Sequence, residues 1–431
     1  FWLKVYAVAI MFMLQLFITF CLRLGISVEP RHPRRYNARW PKNYSHYYWT
    51  DASFGTAEIQ GDAGSSMATK VPENLYGIVS GGNVGIPGLA EKLLEVVQMH
   101  KLATKHSQIP TSIASLSFFY IGSATKDNAN EMRRQFQPFV DKGFEIREGV
   151  NVFWPKMKEY GDVQAIVEMM ARADVLFFSY GNTLFGLDAM SKKSYDMQGV
   201  PWSLLKYIRH LHRIAALPAI YGGSAGLIAW FDSGHSDSCQ KPQPTPLVRV
   251  PALGLLPGFV CPHFDVEVGS TSSTPTQIGK DLNGHTYRGY DFAVHLARDT
   301  GDEIGLALDN DIALVLKGNK YSLFPEPSWR PDWWLYQYPN AYSIDKTIAS
   351  QIFSKARDIT PESLTKWWRS VRKRNRIAST GRLTDILRPG RFWDDPALTC
   401  QCHTPNDLPD DGSPELPLQR RVAARDEYRI I

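Results

Sequence analysis

Ser224 stands in Gly222-Gly223-Ser224-Ala225-Gly226, a G-x-S-x-G pentapeptide between the apolar run Ala219–Tyr221 and the apolar run that opens at Leu227. That order predicts a strand, a sharp turn and a helix, with the serine on the turn. A serine presented there needs small neighbours such as Gly223, because the backbone is strained and the flanking segments pack closely. Its hydroxyl would sit at a helix N-terminus, where the dipole and the free N–H of Ala225 can stabilise an oxyanion. The chemistry of such a group is nucleophilic attack on an acyl carbon. The pentapeptide by itself also suits a tight strand-to-helix turn with no chemistry.

A serine nucleophile needs a base. The chain has 11 histidines. His263 follows Leu253–Gly258, a strand-like run into a turn, so it too should lie at a strand's end. Its rivals are His212, placed in a helix before the elbow, and His235, placed in a polar loop where it could line a substrate pocket. In α/β-hydrolases an acid precedes the histidine, which comes near the domain's end. Here a histidine follows soon after the serine, and no HGGG-type loop is present. A lipase or esterase is therefore disfavoured.

The elements that must hold these residues alternate. Leu75–Ser80, Leu116–Ile121, Asp174–Ser179 and Ala219–Gly222 read as strands. Between them lie helical patterns with Leu89, Leu93, Val96 and Val97 on one face, then Met132, Phe136 and Val140, then Val163, Ile166, Val167 and Met170. Asp162 can cap the third, and Pro138 should bend or end the second. A further helix is expected around Trp202–Ile214. Such alternation predicts an α/β fold, a mostly parallel sheet with helices on both faces. Ligands bind at the carboxyl ends of the strands in such sheets. Ser80-Gly81-Gly82-Asn83, Gly122-Ser123 and Gly181-Asn182-Thr183 fall there.

Six blocks occur in order: Tyr120–Ala124, Phe178–Thr183, Gly222–Gly226, Trp230–Ser238, Gly254–Pro257 with Cys261–Asp265, and Ile304–Asp309. Together they resemble peptidase family S51, which holds aspartyl dipeptidase (peptidase E) and cyanophycinase. The resemblance spans residues 74–325. It implies a flavodoxin-like three-layer sandwich, similar to class I glutamine amidotransferases. It implies Ser224 as nucleophile, His263 as base, and the N–H groups of Gly181 and Ala225 as oxyanion donors, with Asn182, Gly223 and His235 around the substrate. It implies no metal or organic cofactor. The substrate class it suggests is small peptides, including aspartyl dipeptides. An acidic substrate would need a cation, for which Arg288 and Arg298 are candidates.

Two departures stand out. Tyr180-Gly181-Asn182 replaces the family's Gly-Gly-Asn. The family's third triad carboxylate aligns with Leu308-Asp309-Asn310-Asp311, where Asn310 takes the expected Glu or Asp position. On a strand, 309 and 311 face opposite to 310. Asn310 alone, or Asp309 together with Asp311, can therefore face the histidine, with Asn310 and Asp309 the first candidates. An amide can orient an imidazole but supports its positive charge less. That weakness motivates an alternative, a binding protein of the same fold with little or no activity. A thiol enzyme using Cys261 is a third reading, disfavoured because no cysteine occupies the elbow.

The rest of the chain is less telling. Residues 1–73 are expected to be an apolar segment and a linker, and Val5–Leu22 could be a signal or membrane anchor. A start at Met67 would instead give a cytoplasmic protein. Residues 326–387 read as an aromatic strap around Trp329, Trp333 and Trp334 followed by a helix, and 388–431 as a disordered tail. The formal charge of +5 gathers partly in Arg369–Arg376, read as a solvated face, so no nucleic-acid partner is expected. Five scattered cysteines without a C-x-x-C pair argue against a zinc site or a secreted disulfide framework.

Overall fold

A computed structural model describes residues 72–82, 84–106, 108–156, 162–192, 194–195, 201–238, 247–264, 288–298, 304–326, 340–356 and 370–388. The chain divides into two units, 1–62 and 63–431, and all described residues lie in the second. Val5–Leu22, the tryptophan-rich strap and residues 389–431 fall outside the described residues.

The fold is mixed α/β. In chain order come β1 (Tyr76–Ser80), α1 (Leu89–Ala103), β2 (Phe118–Ile121), α2 (Ala129–Val140), β3 (Val152–Phe153), α3 (Val163–Ala171), β4 (Val175–Phe178) and α4 (Thr183–Ser191). A short pair β5 (Ser194–Tyr195) and β6 (Pro201–Trp202) leads to α5 (Leu204–Arg213), β7 (Ala219–Gly223) and α6 (Ala225–Trp230). Then follow β8 (Phe231–Ser236), β9 (Val248–Pro251), β10 (Leu256–Cys261), α7 (Arg288–Arg298), β11 (Ile304–Leu308), β12 (Ala313–Lys317) and β13 (Lys320–Phe324). The last elements are β14 (Ala341–Asp345), α8 (Lys346–Ala356), β15 (Thr380–Arg382) and α9 (Leu383–Ile386).

Eight strands form one sheet in the order β15-β13-β12-β1-β7-β4-β2-β3. Its β1-β7-β4-β2-β3 part is parallel, and β12, β13 and β15 extend it antiparallel. A second sheet of five strands runs β14-β11-β10-β8-β9. The segment β7–α6–β8 passes from one sheet to the other, so the Ser224 turn lies where the sheets meet.

The parallel strands are buried throughout, as β2, β4 and β7 show. Phe118, Phe136, Phe144, Phe177 and Tyr221 interlock above them with α1 and α2. Each such side chain stabilises the fold by about 1.5–3 kcal/mol relative to exposure. Helix α2 is capped by Asn128, whose Oδ1 accepts from the N–H groups of Asn130 and Glu131. Pro138 does not end α2, which runs on to Val140. Its inward face is Met132, Gln135, Phe136 and Phe139, while Val140 is exposed. Asp162 caps α3 through the N–H of Ala165 at 3.0 Å.

The separation of residues 326–387 from the 74–325 domain needs correction. Strand β14 is an edge of the second sheet, and β15 is an edge of the first. Residues 370–388 cross between them: Ile377 N–H donates to Ala341 O, and Leu323 N–H to Ser379 O. These residues complete both sheets.

Candidate active site

The elbow is built by close packing. Strand β7 lies between β1 and β4, with Gly223 opposite Ser80. A Cβ on Gly223 would lie 2.5 Å from Ser80 Oγ and 2.6 Å from Gly82 O. A Cβ on Gly226 would lie 2.4 Å from Phe178 O, and one on Gly222 2.9 Å from Gly226 Cα. Only glycine lets the strand and α6 approach this closely. Ser224 has φ 55° and ψ −111°, a backbone that a residue with a Cβ rarely adopts. Its N–H donates to Ser80 O at 3.2 Å, and its C=O accepts from Ile228 N–H at 3.1 Å. Such strain collects at functional sites and is held by the surrounding structure.

His263 leaves the end of β10 and also has a positive φ, 52°. Its N–H donates to Gly81 O at 2.9 Å, and Phe264 N–H donates to Leu308 O at 3.0 Å. The first bond ties His263 to the turn after β1 of the first sheet, and the second holds Phe264 to β11 of the second. Nε2 lies 2.7 Å from Ser224 Oγ, and Nδ1 lies 2.5 Å from Asn310 Oδ1. An amide oxygen only accepts, so Nδ1 carries the ring proton. Nε2 is then bare and accepts the hydroxyl proton of Ser224. That is the tautomer a general base requires.

Asn310 sits in the turn between β11 and β12. Asp309 points the other way and is fully buried. Its Oδ2 accepts from Asn340 N–H at 2.8 Å, Tyr342 O–H at 2.9 Å and Arg372 Nη2 at 2.5 Å. Of the candidates for the histidine's partner, the structure brings Asn310 to His263 and not Asp309. Asp311 is exposed. Arg372, one of the Arg369–Arg376 group read as a solvated face, is instead the cation paired with Asp309.

Gly82 belongs to the site, although the sequence marked it only as part of a glycine-rich turn. A Cβ there would lie 2.2 Å from Asn310 Oδ1 and 3.0 Å from His263 Nδ1. The signal was the Gly81-Gly82 pair directly after β1.

Gly181 follows β4 with φ 125° and packs on Ala124, whose carbonyl would be 2.5 Å from a Cβ. Ala225 opens α6, so its N–H belongs to the helix's first donors, which have no partner within the helix. Asn182 serves the fold, since its Oδ1 caps α4 at Phe185 N–H and its Nδ2 donates to Ser238 O at 3.0 Å. Tyr180 donates its hydroxyl to Glu131, and its N–H donates to Gln135 Oε1. Burial, with the neighbouring Glu131, pushes the Tyr180 phenol up to about 12.

His235 is a correction. It is not in an open polar loop but in β8, with no exposed surface. Its ring packs against Phe259, Phe292 and His295, and Nδ1 lies 3.6 Å from Cys261 Sγ. Burial holds its pKa well below the usual value. It is a core histidine. Arg288 is also buried and donates to His235 O at 2.5 Å, so it is turned into the core. His212 lies on α5. The Cys261 thiol is buried. Asp265 and the side chain of Arg298 lie outside the described residues. Among the described residues no group of three His, Cys, Asp or Glu side chains could hold a metal ion.

A serine on a strained strand-to-helix turn, bonded to a histidine that is bonded in turn to an amide, defines the class of site found in serine hydrolases. The model of peptidase family S51 matches residues 119–324. Over those residues, a little under half of the chain, the sequence is similar to peptidase family S51. A relative described as the uncharacterized peptidase YgaJ of Bacillus subtilis (strain 168) is 27% identical over 148 residues, 34% of this chain and 54% of that protein. The chain thus spans about half the length of that relative. A solved structure of a peptidase from an acI-B1 Actinobacterium is 16% identical, covers 58% of this chain and 88% of the other, and superposes with a TM-score of 0.37.

Proposed function

We propose that the protein is a serine peptidase that hydrolyses small peptides, with Ser224 as nucleophile, His263 as base and Asn310 as the group that orients the base. One observation carries this reading. It is the unbroken chain of contacts from Ser224 Oγ to His263 Nε2 at 2.7 Å and from Nδ1 to Asn310 Oδ1 at 2.5 Å. Ser224 attacks the peptide carbonyl while His263 takes its proton. The tetrahedral oxyanion is held by the N–H groups of Ala225 and Gly181. His263 returns the proton to the leaving amine, and an acyl-serine forms. Water, deprotonated by His263, then releases the acid.

The framework for this chemistry is a flavodoxin-like sandwich. The parallel strands β3-β2-β4-β7 follow one another as in that fold, and β1 fills the next place. Dipeptides with N-terminal or β-linked aspartate are the first substrates to try, by analogy with the family. The test is a dipeptide panel with the full chain and Ser224→Ala. Hydrolysis that survives Ser224→Ala with an intact fold would place the nucleophile elsewhere.

A second reading has one observation in its favour: an amide stands where a carboxylate would support the imidazolium. A protein of this fold that binds peptides and cleaves them slowly fits that substitution. It predicts peptide affinity with turnover that Asn310→Asp raises.

A further inference from the structure

The site has a support from outside the segment that matches the peptidase family. Asp309 Oδ2 receives Arg372 Nη2 at 2.5 Å, across 63 residues of sequence. Arg372 Nε donates to the Tyr342 hydroxyl oxygen at 3.1 Å, and Tyr342 O–H donates to the same Asp309 oxygen at 2.9 Å. The guanidinium lies over the Tyr342 ring, 5.1 Å from its centroid. Asp309 N–H donates to Asn340 O, and Asn340 N–H donates back to the carboxylate. The carboxylate is fully buried, and the Arg372 side chain is 19% exposed.

This cluster touches the neighbours of both groups that serve Ser224. Asp309 precedes Asn310 in the chain. Tyr342 packs on Phe264, the residue after His263, with ring centroids 5.1 Å apart. Phe264 N–H bonds to Leu308 O, just before Asp309. Val371 joins Phe264 and Tyr342 in the second sheet's core. An ion pair at the base of the turn thus holds Asp309 inward, and the next residue of the turn, Asn310, meets the histidine.

We infer that Arg372 is a positioning residue: through Asp309 and Tyr342 it sets the turn that holds Asn310 against His263 Nδ1. The role rests on the reading of Ser224, His263 and Asn310 as the working groups. Arg372 lies beyond residue 324, where the family match ends. The C-terminal segment therefore takes part in the site. A bidentate, planar cation suits two acceptors at once, which a lysine cannot reproduce. Displacements of about 1 Å at a catalytic hydrogen bond are enough to cost up to roughly a hundredfold in rate.

The test follows the His263 ring by NMR in the full chain with 13C-labelled histidine, its signal assigned by loss in His263→Gln. Asn310 accepting from Nδ1–H favours the imidazolium, so Asn310→Ala should lower the His263 pKa by about half a unit or more. Arg372→Lys should lower it in the same direction. In the Asn310→Ala background the same change should add little, because its route is gone. Where Arg372→Lys does not fold, Asp309→Asn combined with Arg372→Met replaces both charges at similar volume and is read in its place. A folded variant whose His263 titrates as in the parent, or shifts equally in both backgrounds, overturns the inference. Peptide hydrolysis is a separate arm, in which Arg372→Lys should lower kcat about tenfold and leave KM within about twofold. A parent chain that hydrolyses nothing would defeat the peptidase reading and leave the NMR result to decide the role of Arg372.

Discussion

Asn310→Asp should make the site faster. A carboxylate in place of the amide would meet the Nδ1–H now 2.5 Å from Asn310 Oδ1. The charge centres of imidazolium and carboxylate would then lie about 4 Å apart, an attraction of about 4 kcal/mol at an effective dielectric of about 20. Asn310 and His263 are only half-buried, so water screens part of it, and Asp309 next door adds some repulsion although Arg372 pairs it. About 1.5–2 kcal/mol remains for a transition state in which the ring is charged. That is roughly ten- to thirtyfold in kcat. The sign on pH is also fixed. The new carboxylate favours protonated His263 and raises its pKa. A base must be neutral, so the acid limb of kcat/KM moves to higher pH. The gain should be read on the plateau above that limb, with steady-state hydrolysis from pH 5 to 9. Equal or lower turnover in a folded variant, with the acid limb unmoved, would refute the pairing of Asn310 with His263.

Gly82→Ala should lower turnover at least about tenfold, since its methyl would press on Asn310 Oδ1 and His263 Nδ1; normal kinetics would show that the turn yields freely. A chain ending at residue 345 lacks β15 and the residues that pair with Ala341 and Leu323. It should fail to melt cooperatively, and a sharp melt near that of the full chain would mean the C-terminal segment is dispensable. His100, buried against Tyr76, has its pKa lowered to about 4, first by burial and then by Lys101. Its unfolded form binds a proton first as pH falls, so stability present above about pH 6.5 is lost progressively down to about pH 4, by on the order of 3 kcal/mol. Urea melts of parent and His100→Leu should converge toward pH 4.5, and parallel curves across that range would contradict this.

The first sheet was legible because its strands are continuous apolar runs between amphipathic helices. Leu116–Ile121 and Asp174–Ser179 differ from β2 and β4 only at their ends. The second sheet was hidden by composition. β8 reads Phe-Asp-Ser-Gly-His-Ser, which looks like a polar loop, yet every residue is buried. Some of its polar groups bond to residues distant in sequence: Asp232 accepts from Gly258 N–H, and Ser233 from Arg249 Nε. That is why His235 was misplaced. The elbow and its histidine were visible as local patterns at strand ends. The choice between Asn310 and Asp309 needed the actual facing of one short turn. Arg372 lay in a basic cluster, and no local pattern distinguishes a guanidinium that reaches a buried carboxylate from its solvated neighbours.

The central claim is that Ser224 is an activated nucleophile. Incubation of the full chain with a fluorophosphonate, followed by peptide mapping, tests it most directly. The expected result is one covalent adduct on Ser224, lost in Ser224→Ala and strongly slowed in His263→Gln. Labelling at another residue, or no labelling of a folded chain under conditions that label a known serine hydrolase, would contradict it.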